Sequence, residues 1–201
     1  MKDQMFSQMM LAARQRLAGR DPAEIAQRAN VRYDPQTGIF CLRSLNKDVH
    51  ISYPDYVISP QLDGWHQLVI LHYLDLADGE PPADRTISFS QMKDGMVRGS
   101  GFDRRCEDMI AVLMRQVSEK TMVERCLALG AQVVQSNADF ACMFPLLPNF
   151  PLLLKLWFAD DEFEASGRII PDAAADHYLT IEDAVTAGEI LLGMLQNTPE
   201  K

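Results

Sequence analysis

Met143-Phe144-Pro145-Leu146-Leu147-Pro148-Asn149-Phe150-Pro151-Leu152-Leu153-Leu154-Lys155-Leu156-Trp157-Phe158 decides the fold. Between Leu152 and Phe158 every position except Lys155 is apolar, and Pro148-Asn149 cuts that run from the one before it. A short apolar run bounded by turn formers reads as a strand inside a sheet, covered on both faces. Lys155 and Trp157 fall on one side of it, opposite Leu154, Leu156 and Phe158. A lysine so placed pairs with an acid or runs its head to the sheet edge.

Other elements fall into place around this strand. Ala131–Gln135 and Asp139–Phe144 precede it as strands, and Gly167–Ile170 follows as a shorter one. Thr180 with Asp183 makes a cap for a final helix, whose buried stripe is Ile181, Ala184, Val185, Gly188, Leu191, Leu192 and Leu195. Near the start, Phe6, Met9, Met10, Ala13 and Leu17 repeat at helical spacing over residues 3–18, and Gly19 stops that helix. Asp21-Pro22-Ala23-Glu24 opens a second helix, to about Ala29, with a cap, a proline in the first turn and a reciprocal acid. Ile39–Leu42 and Val49–Tyr53 read as a hairpin in which Asn46 takes the left-handed turn position. Pro54 and Pro60 bracket a loop. Gln61–Leu76 reads as a helix with Trp65, Leu68, Val69, His72 and Leu76 on one face, and Thr86–Phe89 as a short strand or the entry to a short helix. Gly95–Gly101 reads as a glycine-rich loop, followed by helices over 103–117 and 119–129.

The order is helices, hairpin, helices, strands, helix. It lacks the regular alternation of a doubly wound sheet. The prediction is an α+β fold with a mainly antiparallel sheet and helices packed on it. One compact domain spans 1–201, with N-terminal helices over 1–30 and the sheet core and C-terminal helix over 131–196.

Composition bounds the function. The chain has 201 residues, 47% hydrophobic and 23% charged, with a formal net charge of −9. That length buries a core without staples. The charge argues against nucleic acid, which needs a basic patch, and against anionic membranes. No run reaches the ~20 apolar residues of a membrane span, and the first ten residues do not read as a signal peptide. Cys41, Cys106, Cys126 and Cys142 form no C-x-x-C pair, so there is no intrinsic iron–sulfur or zinc motif. Their apolar neighbours predict buried free thiols in a reducing cytoplasm.

Several of these stretches also carry a family likeness. They are Asp21-Pro22-Ala23-Glu24-Ile25-Ala26, Ile70-Leu71-His72-Tyr73-Leu74 with Ala77-Asp78-Gly79, and Ile87-Ser88-Phe89. The strongest are Leu147-Pro148, Leu156-Trp157, Asp160-Asp161-Glu162-Phe163, Tyr178-Leu179 and Glu182-Asp183. In this ordered set the chain resembles the family called domain of unknown function 3786. That family is found mainly in anaerobic bacteria and archaea and is sometimes fused to an iron–sulfur-cluster domain. Glu164 departs from the proline expected after the acidic-Phe motif, and no cysteine-rich segment is present. The resemblance implies a shared surface and an anaerobic redox or one-carbon setting. It implies no reaction and names no cofactor.

The candidate site is the acidic stretch after the apolar strand. From Ala159 to Asp183 eight acids (Asp160, Asp161, Glu162, Glu164, Asp172, Asp176, Glu182, Asp183) stand against one base, Arg168. On a continuing strand Asp160 and Glu162 share a side, roughly 6–7 Å apart. They are candidate ligands for a hard cation such as Mg²⁺ or Ca²⁺, or an acid–base pair. The bland reading is a solvated strand end, with Asp160 or Asp161 capping a turn and Phe163 pinned to the core. His72 is a candidate general base, against the reading of a core histidine bonded to Asp75 or a carbonyl. Trp157, Phe163, Tyr73, His177 and Tyr178 are candidate ligand contacts. Arg98-Gly99-Ser100-Gly101 before a helix is an anion cradle only in weak form, because no P-loop or Rossmann pattern surrounds it. No Gly-x-Ser-x-Gly elbow exists, and Cys142 alternates with Phe140 and Phe144 and so points inward.

These readings leave three functions open. The favoured one is a cytoplasmic ligand-binding or accessory protein, with its pocket where the Trp157–Phe163 strand end meets the His72-Tyr73 helix. The second is an enzyme using Asp160, Glu162 and His72 as metal ligands or acid–base groups. The third is an acidic module that docks a basic protein partner. Oligomeric state and ligand identity stay open.

Overall fold

A computed structural model describes residues 2–198. Among the described residues, six α-helices and two four-stranded antiparallel sheets make an α+β fold. The helices are α1 (Lys2–Leu17), α2 (Pro22–Arg28), α3 (Gly64–Leu76), α4 (Gly95–Gln116), α5 (Glu119–Ala128) and α6 (Ile181–Asn197). The first sheet has the order β1 (Arg32–Asp34), β2 (Ile39–Ser44), β3 (Lys47–Ser52), β4 (Ile58–Ser59). The second runs β5 (Gln132–Val133), β6 (Phe140–Leu147), β7 (Phe150–Trp157), β8 (Ser166–Pro171).

β7 lies inside its sheet, between β6 and β8. One of its faces is closed: Leu152, Leu154 and Leu156 are fully buried. α4 covers that face, so closely that a Cβ on Gly167, the register partner of Leu156, would lie 2.6 Å from Ile110 Cγ2. The other face is covered only in part: Leu153 is buried. Lys155 and Trp157 are only half-buried, and Lys155 Nζ donates to Asn137 Oδ1 at 3.1 Å. An apolar run marks a core strand, but the half-buried side of β7 is its Lys155–Trp157 side.

The hairpin tip docks the first sheet on the second. Leu45 N–H donates to Pro145 O at 2.8 Å, and the Ser44 hydroxyl donates to Leu146 O at 2.7 Å. Leu45, not Asn46, takes the left-handed conformation (φ 54°). Its side chain is 1% exposed, so tertiary burial holds it there. Asn46 instead turns its amide to Ala128 O at 2.7 Å. Gly130, just past α5, combines a φ of +87° with backbone of the tip only 3.2 Å from where a Cβ would stand.

Gly95–Gly101 is not a loop. It is the first two turns of α4, and the glycines answer a packing demand. A Cβ on Gly95 or Gly99 would lie 2.2 Å from the Phe89 carbonyl oxygen. The 3-10 turn Phe89–Gln91 therefore presses directly on the helix backbone. Asp103 completes the joint by accepting the Phe89 and Ser90 N–H groups at 3.2 and 3.1 Å. In α2, Asp21 caps Ala23 N–H at 2.9 Å as expected, whereas Glu24 pairs with Arg28 at 2.5 Å instead of reaching back.

α3 runs through the centre and is apolar nearly all round: Leu68, Val69, Ile70, Leu71, Tyr73 and Leu74 are buried. α1 and α6 pack against it. The Thr180 cap of α6 forms as read, with Asp183 N–H donating to Thr180 Oγ1 at 3.3 Å. Every residue of the predicted α6 stripe is buried. No described helix is long and apolar enough to cross a membrane.

Candidate functional site

α1, α3, α4 and α6 enclose a groove of about 650 Å³. Met9, Leu68, Val69 and Ile190 give it apolar walls. Trp65 stands at the side, 48% exposed, with its ring edge-on to Phe6 at 5.1 Å. Gly64 permits that pairing, because a Cβ there would meet the Phe6 ring at 2.8 Å. An exposed tryptophan in an apolar concavity is contact area held ready.

The rim is charged. Asp63, Glu182, Asp183 and Glu189 line it against one guanidinium, Arg98. Arg98 Nε donates to Glu182 Oε2 at 3.0 Å, and Arg105 Nη2 to Glu189 Oε1 at 2.6 Å. Arg98, whose glycine-rich stretch reads as an anion cradle only in weak form, is bound to Glu182 and lies 3.6 Å from Glu189 on the side of a helix. Asp63 accepts Trp65 N–H at 2.9 Å, which starts α3 and aims the indole.

His72 meets this groove through Asp183. Its Nδ1 lies 2.7 Å from Asp183 Oδ1, while Asp183 Oδ2 accepts the Thr180 hydroxyl at 2.8 Å. An ionised carboxylate only accepts, so Nδ1 is the donor in this contact. Asp75, expected along with a backbone carbonyl as a partner of His72, is occupied by Arg16 and Arg20 at 2.6 and 2.8 Å.

The other predicted residues are dispersed. Tyr73 and Tyr178 are fully buried and stacked, with ring centroids 5.5 Å apart. Tyr73 OH donates to Ala29 O at 2.7 Å and accepts Asn149 N–H at 3.0 Å. Tyr178 OH accepts from Asn149 Nδ2 at 2.9 Å and donates to Glu80 O. Burial pushes both phenols above their ordinary pKa. These tyrosines fasten the Pro148-Asn149 turn to α3 and to the chain after α2. His177 pairs with Asp78 at 2.7 Å on the surface; that bond raises the imidazole pKa and lowers that of the carboxyl.

The acidic stretch forms a turn of its own. Asp160 Oδ1 accepts the N–H groups of Glu162 and Phe163 at 2.8 and 2.7 Å, and these bonds hold its carboxyl below the usual range. Asp161, Glu162, Phe163 and Glu164 are exposed; Phe163, at 70%, is not pinned to the core. Trp157 is half-buried at the end of β7. A hollow of about 450 Å³ beside it is lined by Met114, Met122, Phe158 and Ala165, with Asp160 and Glu162 outside the lining. His72 bonds to Asp183 rather than to this stretch. Among the described residues no three His, Cys, Asp or Glu side chains gather as a metal site.

Sequence reading missed Asp63, Arg98, Glu189 and Ile190 as one site, because they share no local pattern. Trp65 beside the Asp63 cap carried the only signal. A tryptophan in the first turn of a helix that is buried nearly all round is well placed to stay partly in water.

Neither a curated protein nor a solved structure matches the chain. The family model described as a domain of unknown function (DUF3786) matches residues 21–194. α1 precedes the matched residues, yet supplies Met9 to the groove. The match takes in the Ile70–Leu74, Leu156-Trp157 and Glu182-Asp183 stretches and most of the chain, and so the chain belongs to the DUF3786 family.

Proposed function

We propose that the protein binds a small ligand in the groove between α1, α3, α4 and α6, and that the ligand is an apolar or aromatic body with a cationic head. The observation that supports this most is Trp65, half-exposed over apolar walls under four carboxylates and one guanidinium. Buried apolar area supplies binding energy at ~25 cal/mol per Å². The excess of carboxylates and the indole face both favour a cation. A melting-temperature comparison tests it with benzyltrimethylammonium, benzyl alcohol and benzoate, which share a ring and differ in charge. The reading predicts the largest rise with the cation and its loss in Trp65→Ala. Equal shifts for all three, or shifts that persist in Trp65→Ala, refute it.

The His72–Asp183 pair favours a second reading, acid–base work on the bound ligand. His72 is not itself in the groove lining, but its Nδ1 is fixed by Asp183, which is, and an imidazole so fixed can pass a proton through that carboxylate. In this reading Asp183, not Asp160 or Glu162, is the partner of His72. Proton exchange at a carbon acid held in the groove, lost in His72→Gln with binding retained, is its expected signature. The family's association with iron–sulfur domains supports an accessory place in cytoplasmic anaerobic redox or one-carbon metabolism, by association alone.

A further inference from the structure

Cys41 is the cysteine that departs from the expectation of buried thiols: it is partly exposed, while Cys106, Cys126 and Cys142 are buried. Strand register sets its surroundings. Cys41 lies directly opposite Arg32 on β1 and His50 on β3, and His50 lies opposite Ser59 on β4. Directly opposed residues share a sheet face with Cβ atoms about 5 Å apart, so the thiol sits between two basic side chains. All three line a concavity of about 580 Å³. The Cys41 thiol beside it is the first cause of the raised pKa of the Arg32 guanidinium.

The concavity holds one carboxylate, Asp34, already occupied on both oxygens. Oδ1 accepts Gln36 N–H and Oδ2 accepts the Thr37 hydroxyl, each at 2.9 Å. Asp34 is two residues along β1 from Arg32, so it is a diagonal rather than a direct neighbour of the thiol. The Arg32 guanidinium is the nearer charge. No other cysteine competes: burial pushes the Cys106 thiol up to about 12, and a bond to Cys126 together with burial pushes Cys142 up. The site shares no lining residue with the α1–α3–α4–α6 groove.

We propose that Cys41, Arg32 and His50 form a thiol-exchange site for small carboxylate-bearing disulfides. Arg32 binds the carboxylate and favours the thiolate, while His50 takes the thiol proton. The Cys41 sulfur attacks one sulfur of the disulfide. A bond to Cys41 forms as the reagent's S–S bond breaks, and the other half leaves as a thiolate. That thiolate takes the proton held by His50. The Cys41 sulfur is oxidised to the disulfide level in the mixed disulfide, the departing sulfur is reduced to a thiol, and the bound half keeps its oxidation level.

The test compares oxidised glutathione, which carries carboxylates, with cystamine, a cationic disulfide, on the folded full chain. Adduct formation is followed by intact mass and located by peptide mapping. The glutathione rate is expected to fall about tenfold in Arg32→Gln, the scale of a local charge steering a small reagent, with the cystamine rate unchanged or raised. Arg32→Lys restores the preference, and His50→Gln slows both reagents. An Arg32→Gln effect that is equal for the two disulfides overturns the proposal. So do an adduct on one of the buried cysteines, no adduct at Cys41, or unchanged rates in His50→Gln.

Discussion

Asp183 Oδ1 lies 2.7 Å from His72 Nδ1, and this contact joins the first turn of α6 to α3 across 111 positions of sequence. The same carboxylate accepts the hydroxyl of the Thr180 cap, so one side chain steadies a helix cap, ties two helices and lines the groove.

Asp183→Ala removes all three roles. The imidazole loses its acceptor and the α6 cap loses half its reciprocal bonding. The expected loss is about 2–3 kcal/mol in urea unfolding, the sum of a charged hydrogen bond and part of a cap. Thr180→Ala, which leaves the His72 contact in place, is expected to cost about 1 kcal/mol. Equal losses for the two variants would mean that the bond to His72 contributes nothing.

Two glycines two residues apart in α4 give opposite outcomes. Gly99→Ala drives a methyl to 2.2 Å from the Phe89 carbonyl, and the 3-10 turn must move away. That overpacking costs about 1–3 kcal/mol. Nothing lies within 4 Å of a Cβ on Gly101, so Gly101→Ala gains up to ~1 kcal/mol from helix propensity. Thermal unfolding of the pair reads both signs.

These glycines also show what was legible in the chain. A helix is readable where its signal is local: Thr180 with Asp183 and the α6 stripe carry their own pattern, and so does the apolar run of β7. Gly95 and Gly99 read as a loop because their reason is the Phe89 carbonyl, which meets them only in three dimensions. Leu45 replaces Asn46 at the left-handed position because its side chain is buried. The candidate site was less legible still. His72 was named, but its partner stands on another helix, and the groove is assembled from four helices. Tyr73 and Tyr178 read as candidate ligand contacts, but their hydroxyls serve the Asn149 turn.

Acid stability tests the buried imidazole. His66 is 1% exposed, and burial depresses its pKa to about 4. Ser44 gives its one hydroxyl proton to Leu146 O, so His66 Nε2 donates to Ser44 Oγ at 2.8 Å and Nδ1 has no partner among the described residues. The unfolded chain takes up this proton near pH 6.5 and the folded chain only near pH 4. Between those values the unfolded state binds more protons, so stability falls as pH falls. The loss reaches roughly 3 kcal/mol at ~1.4 kcal/mol per unit and levels off below the folded value. Denaturant unfolding from pH 7 to pH 4 reads this slope. His66→Leu is expected to flatten it, and an unchanged slope in that variant would assign it to another group.

His177 and Asp78 add a smaller dependence of the other sign for the imidazole. The His177 pKa is raised by Asp78, so its contribution is complete below about pH 6.5 and is lost as pH rises through the folded value. Both side chains are about half-exposed, and solvent screening keeps the effect to tenths of a kcal/mol. His177→Ala is expected to leave unfolding near pH 8 unchanged and to lower stability slightly near pH 5.5.

The most direct measurement of the ligand-binding account is an emission titration of Trp65 in a Trp157→Phe background, which leaves Trp65 as the sole tryptophan. Added benzyltrimethylammonium is predicted to shift and quench Trp65 emission saturably. Glu182→Gln together with Glu189→Gln is predicted to weaken that binding by about tenfold, as removal of two rim charges requires. No saturable change with the cation, or the same affinity after both charges are removed, would contradict the account.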